Sequence, residues 1–190
     1  AGFSFNADGA QVAFVGSSAT AYPEVHAGPV GGAARRISSE GSQLASMTLG
    51  TSEVVAWKSA DGTVIEGVLR KPAGWKPGVA APLLVVIHGG PTGVSRPSLF
   101  GATYVYPMET WLAKGALILE PNYRGSAGYG EAFRSLNVRN LGVGDAWDVM
   151  SGIDSLIAKG FVDKAKVGVM GWSQGGYISA FLATHDSARF

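Results

Sequence analysis

Ser173 sits in the run Gly171-Trp172-Ser173-Gln174-Gly175. The pattern G-x-S-x-G is that of a nucleophile elbow, in which a serine on a sharp strand-to-helix turn presents its hydroxyl for attack on an acyl carbon. The flanking sequence supplies that context. An apolar run, Val167 to Met170, precedes the motif, and Ile178, Phe181 and Leu182 follow it at helical spacing. Bulky residues two positions before and after the serine would collide where strand and helix nearly touch, so the two glycines are a steric requirement. The spacing predicts a strand over 167–170, a positive φ at Ser173, and a helix from near Gly175 to about Thr184. The start of such a helix offers free N–H groups and a positive dipole end. The Gln174 N–H is thereby placed to bind an oxyanion. The competing structural reading is a glycine-rich turn with an idle serine, which the strand before and the helix after disfavour.

Acyl transfer needs a second donor for the developing charge. His88-Gly89-Gly90-Pro91 follows the apolar run Leu83–Ile87. A glycine-rich loop in that place supplies a backbone N–H at close range, and Gly90 is the candidate. Two donors serving one charge must face a common point near Ser173 Oγ. His88 lies too early for the Ser, Asp or Glu, His order of elbow enzymes, and is expected to brace the loop. "NYRGSAGYG", Asn122 to Gly130, has the glycine spacing G-x-x-G-x-G rather than the dinucleotide fingerprint. Its Arg124 can orient a substrate or pin a loop, and the residues alone leave both readings open. Glu53, Glu66, Asp145 and Asp148 read as solvated or helix-capping carboxylates. Without HExxH, a Cys/His cluster or EF-hand spacing, no metal and no cofactor are expected.

The elements that must position these residues divide the 190-residue chain in two. Residues 1–50 read as β: a strand Gln11–Gly16 after the turn "NADG", with two more at Glu24–Ala27 and Ala34–Ile37, separated by "GPVGG" and "SSEGS". They hold too few apolar positions for a core of their own. From Thr51, "EVVAWKS-ADG-TVIEGVLRKP" is a hairpin about Asp61-Gly62. Buried runs at Leu83–Ile87, Ala116–Leu119 and Val167–Met170 then alternate with helical patterns at Met108–Lys114 and Gly144–Lys159. That alternation predicts an α/β fold, a mostly parallel sheet with helices on both faces. Charged residues are 15% and the net charge is +1, with no basic stripe, so no nucleic-acid partner is expected. The longest apolar run, Val79 to Ile87, is far short of the about 20 residues a membrane helix needs, so no membrane partner is expected. There is no cysteine, which excludes disulfides and thiol catalysis.

Together "HGGP" at 88–91, "PNYRGSAGYG" at 121–130, "GFVDKAKVGVMGWSQGGY" at 160–177 and the hairpin "VVAWKSADGTVIEGVLRKP" resemble the prolyl oligopeptidase family. They look most similar to its acylaminoacyl-peptidase branch and to similar bacterial dipeptidyl or oligopeptidases. The resemblance implies a β-propeller followed by an α/β-hydrolase domain. Residues 1–50 would be the C-terminal remnant of the propeller, since "FSFNADGAQVAFVGS" looks like a strand of its last blade. Residues 51–190 would be the N-terminal part of the hydrolase domain. The propeller of that family screens substrates by size, admitting peptides. The resemblance implies a short peptide substrate, Ser173 as nucleophile, and the backbone N–H groups of Gly90 and Gln174 as oxyanion donors. Two branches of the family use a tyrosine hydroxyl near the position of His88. None is present there, which favours two backbone donors.

The family's catalytic Asp and His lie beyond the nucleophile helix, and only 17 residues follow Ser173. His185 is twelve positions on, roughly 18 Å along a helix rising 1.5 Å per residue, whereas a base must come within about 3 Å. With Ala1 also opening in the middle of a strand-like pattern, the chain reads as truncated at both ends. The expected function is a serine peptidase whose base lies outside these residues, so that the chain alone is inactive. The alternatives are a carboxylesterase of the same fold and a non-catalytic binding module that kept the fold.

Overall fold

The computed structural model describes residues 2–101 and 106–190. Two compact units are present, Ala1–Leu49 with Ser98–Ala102, and Gly50–Pro97 with Thr103–Phe190.

The first unit is an antiparallel meander of four strands in sequence order, β1 (Phe3–Phe5), β2 (Gln11–Gly16), β3 (Glu24–Pro29) and β4 (Arg35–Arg36). The β1–β2 turn is closed by side chains: Asn6 Oδ1 accepts the Gln11 N–H at 2.9 Å and Asp8 Oδ1 the Ala10 N–H at 2.8 Å. Gly9 there has φ 72°. After β4, the carboxylate of Glu24 anchors the chain. It accepts the Ser38 hydroxyl and the N–H groups of Glu40 (3.0 Å) and Gly41 (2.7 Å). These bonds, that of Ser38 foremost, hold its pKa below the usual carboxylate value. Phe3 and Phe5 are exposed, and among the described residues no buried apolar side chain belongs to this sheet. β1 is absent from the sequence reading and β4 is shorter than its 34–37. Both are too short to show a period.

The second unit is a five-stranded sheet in the order β5-β6-β8-β7-β9. The hairpin strands β5 (Thr51–Lys58) and β6 (Val64–Lys71) pair antiparallel about the Asp61-Gly62 turn, where Gly62 has φ 86°. β6 runs antiparallel to β8 (Leu117–Asn122), while β7 (Ala81–Ile87) lies parallel to both β8 and β9 (Val162–Gly171). The sheet is therefore mixed, not mostly parallel. A tight hairpin can only join antiparallel strands, and it contributes two of the five. β9 starts earlier than 167 because a register shift between Ala81 and Leu83 lets Val162 pair before Val167 does.

Alternation along the buried strands assigns their faces. Leu83, Val85 and Ile87 join Leu117 and Leu119 in one core with α3 (Gly144–Ala158) and α4 (Gln174–His185). Val86 and Ile118 face the other side, against Met108 and Leu112 of α1 (Met108–Ala113). Helices thus cover both faces, as the sequence pattern requires. A five-residue helix α2 (Glu131–Ser135) lies within the glycine-rich 122–144 stretch and has no apolar period to announce it.

Two contacts define how tightly this unit is built. Gly152 of α3 faces Trp57, and a Cβ there would lie 2.9 Å from the indole ring. That ring cannot yield, because its Nε1 donates to the Asp148 carbonyl at 2.8 Å. Beneath β6 and β8, the buried Arg70 guanidinium donates to Glu120. Burial raises the Glu120 pKa while Arg70 opposes the rise. Gly152→Ala is expected to lower the denaturant midpoint. Alanine gains about 1 kcal/mol of helix propensity, but overpacking a fixed ring costs about 1–3 kcal/mol. Arg70→Met is expected to destabilise by about 3–5 kcal/mol, and Arg70→Met with Glu120→Leu to recover most of that loss. Equal stability of the single and double variants would show that the pair is not the determinant.

Candidate active site

Strand β9 delivers Ser173 and helix α4 leaves it. Ser173 has φ 55° and ψ −120°, a positive φ for a residue with a Cβ, as the flanking glycines predict. Only three backbones in near contact produce this turn. A Cβ on Gly175 would lie 2.6 Å from the Ile87 carbonyl carbon and 2.8 Å from the His88 oxygen. One on Gly171 would lie 2.7 Å from the Ile87 oxygen and would also strike Gly175. The end of β7, the end of β9 and the start of α4 therefore meet without side chains between them. α4 begins at Gln174, one residue earlier than the sequence indicates, and ends at His185. Ser173 and Trp172 are exposed, Trp172 by 73%.

The loop after β7 comes against this turn. A Cβ on Gly89 would lie 3.0 Å from the Trp172 carbonyl oxygen and 3.1 Å from Ser173 Cβ. Gly90 has φ 139°, in the region only glycine readily adopts. Among the described residues, neither the Gly90 N–H nor the Gln174 N–H carries a hydrogen bond.

The three histidines are engaged elsewhere. His88 Nδ1 is 2.9 Å from the Gly89 carbonyl and Nε2 is 3.0 Å from Ser126 Oγ. Its ring stacks on Tyr123 at 4.6 Å, and the Tyr123 hydroxyl donates to the His88 carbonyl at 3.0 Å. Burial lowers the His88 pKa, opposed by the Gly89 contact. His185 closes α4, exposed and paired with Asp186. His26 belongs to the other unit and contacts the Glu24 carbonyl. Among the described residues no imidazole is hydrogen-bonded to Ser173.

The 122–127 stretch is the scaffold of the 88–95 loop. Asn122 donates to the Ser95 carbonyl (2.9 Å) and accepts the Ser95 N–H (2.7 Å). Buried Ser126 meets the His88 ring, and the Ala127 N–H donates to the Gly93 carbonyl at 3.2 Å. Sequence reasoning passed over Asn122, Tyr123 and Ser126. The available signal was their place in one run at a strand's C-terminal end. Arg124 in the same run is almost wholly buried. Its guanidinium bonds Asp148 Oδ2 (2.9 Å) and Oδ1 (2.8 Å), Asp61 Oδ2 (2.9 Å) and Oδ1 (3.2 Å), and Ser59 Oγ (3.3 Å). The Asp148 carboxylate also accepts the Arg124 N–H at 2.7 Å. Arg124 holds the Asp61 carboxyl far below its ordinary range. Gly144 makes room for this, since a Cβ there would lie 2.6 Å from Arg124 Cδ.

Two sequence expectations need correction. Asp145 and Asp148 are not solvated, being 0% exposed. Asp148 is neutralised by Arg124. Asp145 accepts the N–H groups of Gly142 (2.7 Å) and Ala146 (2.8 Å) and the Gln174 side-chain amide (3.1 Å). Burial raises the Asp145 pKa against those donors. Glu66 and Glu53 are nearer the expectation, Glu66 accepting from the Tyr129 hydroxyl and Glu53 pairing with Lys71.

Several known proteins are similar to this chain. Residues 103–190 match the prolyl oligopeptidase family. Acylamino-acid-releasing enzyme 1 of Oryza sativa subsp. japonica is 36% identical over 116 residues, covering 61% of this chain and 14% of the relative. The acylaminoacyl peptidase of Pyrococcus horikoshii superposes with a TM-score of 0.80 at 27% identity, over 96% of this chain and 28% of that one. An acylaminoacyl peptidase in complex with Z-Gly-Gly-Phe-chloromethyl ketone does so with a TM-score of 0.80 at 28% identity and the same coverage. The chain thus spans less than a third of the length of these relatives. With its elbow, its glycine loop and these matches, residues 103–190 of the chain form a prolyl oligopeptidase family match.

Proposed function

We propose that this chain carries the nucleophile and the oxyanion site of a serine peptidase acting on short peptides, of acylaminoacyl- or dipeptidyl-peptidase type. The observation that carries the reading is the left-handed backbone of Ser173 at the junction of β9 and α4, an otherwise costly conformation that tends to persist at functional sites. Ser173 Oγ attacks the scissile carbonyl carbon and passes its proton to an imidazole. The tetrahedral oxyanion is met by the N–H groups of Gly90 and Gln174, both without another partner among the described residues. Collapse expels the amine, which takes the proton, and leaves an acyl-serine for water to cleave. The chloromethyl ketone bound to the similar acylaminoacyl peptidase is peptidic, which supports a peptide substrate.

The imidazole comes from chain outside these 190 residues. His88 is the nearest alternative in sequence terms, but its two nitrogens face Gly89 and Ser126. We assign His88 to bracing the loop that carries Gly90, and Arg124 to pinning the hairpin and α3 to the end of β8. We assign residues 1–50 to the C-terminal part of a β-propeller and residues 51–190 to an α/β-hydrolase domain. An antiparallel four-stranded meander is the unit of which propeller blades are made, and the exposed apolar face of this one suits packing against a neighbour.

The full-length protein is expected to cleave short peptide anilides and to be labelled by a fluorophosphonate, with Ser173→Ala abolishing both. Cleavage of p-nitrophenyl esters alone would make it a carboxylesterase, and neither turnover nor labelling would make it a binding module. The 190-residue chain on its own is expected to show no turnover, because loss of the base costs on the order of a millionfold. Turnover by that chain would place a base within it. For His88, whose folded pKa lies below the ordinary 6.5, the sign follows from linkage. Above 6.5 the ring is neutral in both states. As pH falls below 6.5 the unfolded chain binds a proton that the folded ring resists, so stability falls with pH. His88→Gln is expected to flatten that part of the profile in denaturation from pH 7 to 5. An unchanged slope would show that the ring is not held neutral.

A further inference from the structure

We propose that Asp145 is a positioning residue for the oxyanion site, holding the side chain of Gln174 and through it the backbone that carries the Gln174 N–H. The proposal rests on the reading of Ser173 and Gln174 given above. Asp145 is fully buried on the first turn of α3. Its Oδ1 accepts two backbone N–H groups, Gly142 at 2.7 Å and Ala146 at 2.8 Å, which fix the carboxylate plane. Its Oδ2 is thereby aimed at Gln174 Nε2, 3.1 Å away and 29 positions on in the chain.

The recipient matters. Gln174 directly follows the nucleophile and opens α4. Ser173, at the N-cap, makes no side-chain bond to the helix, so the hydroxyl tie that ordinarily fixes a first turn is missing. A nucleophile cannot also serve as a cap without burdening its hydroxyl. The bond from Gln174 to Asp145 restrains that turn in its place, and a hydrogen bond to an ionised acceptor is roughly twice as strong as a neutral one. A buried carboxylate is costly, and among the described residues this one has no ion-pair partner, since Arg124 is spent on Asp148 and Asp61. It is matched instead by N–H donors and by the positive end of the α3 dipole. That expense suits a group retained to hold an atom in place.

The test uses the full-length protein and a peptide anilide. Gln174→Met, close in shape and without the amide, is expected to lower kcat about tenfold with KM within about twofold, less than the roughly hundredfold or more for outright loss of a donor. Gln174→Glu sets two carboxylates in contact. Its kcat is expected to fall further near neutral pH and to recover toward acid pH as the pair takes up a proton. Adding Asp145→Asn to Gln174→Glu restores a donor facing an acceptor and is expected to return kcat to within about threefold of the parent. A merely structural role would move the melting temperature and leave kcat, its pH profile and the reciprocal rescue unaffected. Unchanged kcat in Gln174→Met, or failure of the folded double variant to recover, overturns the proposal while Ser173→Ala remains inactive. Activity surviving Ser173→Ala overturns the underlying reading, and the proposal with it.

Discussion

The site depends on one steric constraint: the ends of β7 and β9 and the start of α4 come so close that no side chain fits between them. Gly171 and Gly175 satisfy it, each with no space for a Cβ beside Ile87. The approach sets the serine between them in a left-handed backbone, and the serine is exposed. It also sets Gly89, in the loop that leaves β7, against Trp172 and Ser173. A single methyl group at Gly175 would have to displace the Ile87 carbonyl, which is held in the centre of the sheet.

Around this contact the structure is layered by function. The 122–127 stretch supports the 88–95 loop by a tyrosine hydroxyl, an asparagine amide and a serine hydroxyl, each set on backbone or on a ring. The acids at the start of α3 divide their work. Asp148 faces back to the Arg124 cluster, and Asp145 faces forward to Gln174. Two carboxylates three positions apart on one helix thus serve the scaffold and the proposed reaction site separately.

Much of this was legible in the sequence and some was not, for identifiable reasons. Asp61-Gly62 marks its hairpin because φ > 0 selects glycine locally, and the runs at 83–87 and 116–119 mark buried strands because both faces are covered. The elbow was legible because its glycines answer a local collision. Arg124 left two readings open, since its partners Asp61 and Asp148 lie 63 and 24 positions away and nothing local couples them. Asp145 and Asp148 read as solvated or helix-capping because acids near a helix start usually are. Only the docking of α3 against the hairpin and α4 buries them. The short β1, β4 and α2 carry no period and take their form from their neighbours. The sheet expected to be mostly parallel is mixed, because the hairpin strands join its margin antiparallel.

The Arg124 cluster ties that margin to the centre. β5 is an outer strand with much of its length exposed, and strands so placed ordinarily open and close without disturbing the rest of a domain. Here the hairpin tip carries Asp61, and lifting it would remove one of two carboxylates from a cation that stays buried. Trp57 on the same strand would at the same time lose its bond to the Asp148 carbonyl. Opening of the hairpin is therefore coupled to α3 and to the end of β8. The outermost strand should exchange its amide hydrogens in one cooperative event with the helix behind it, and not as a fraying edge.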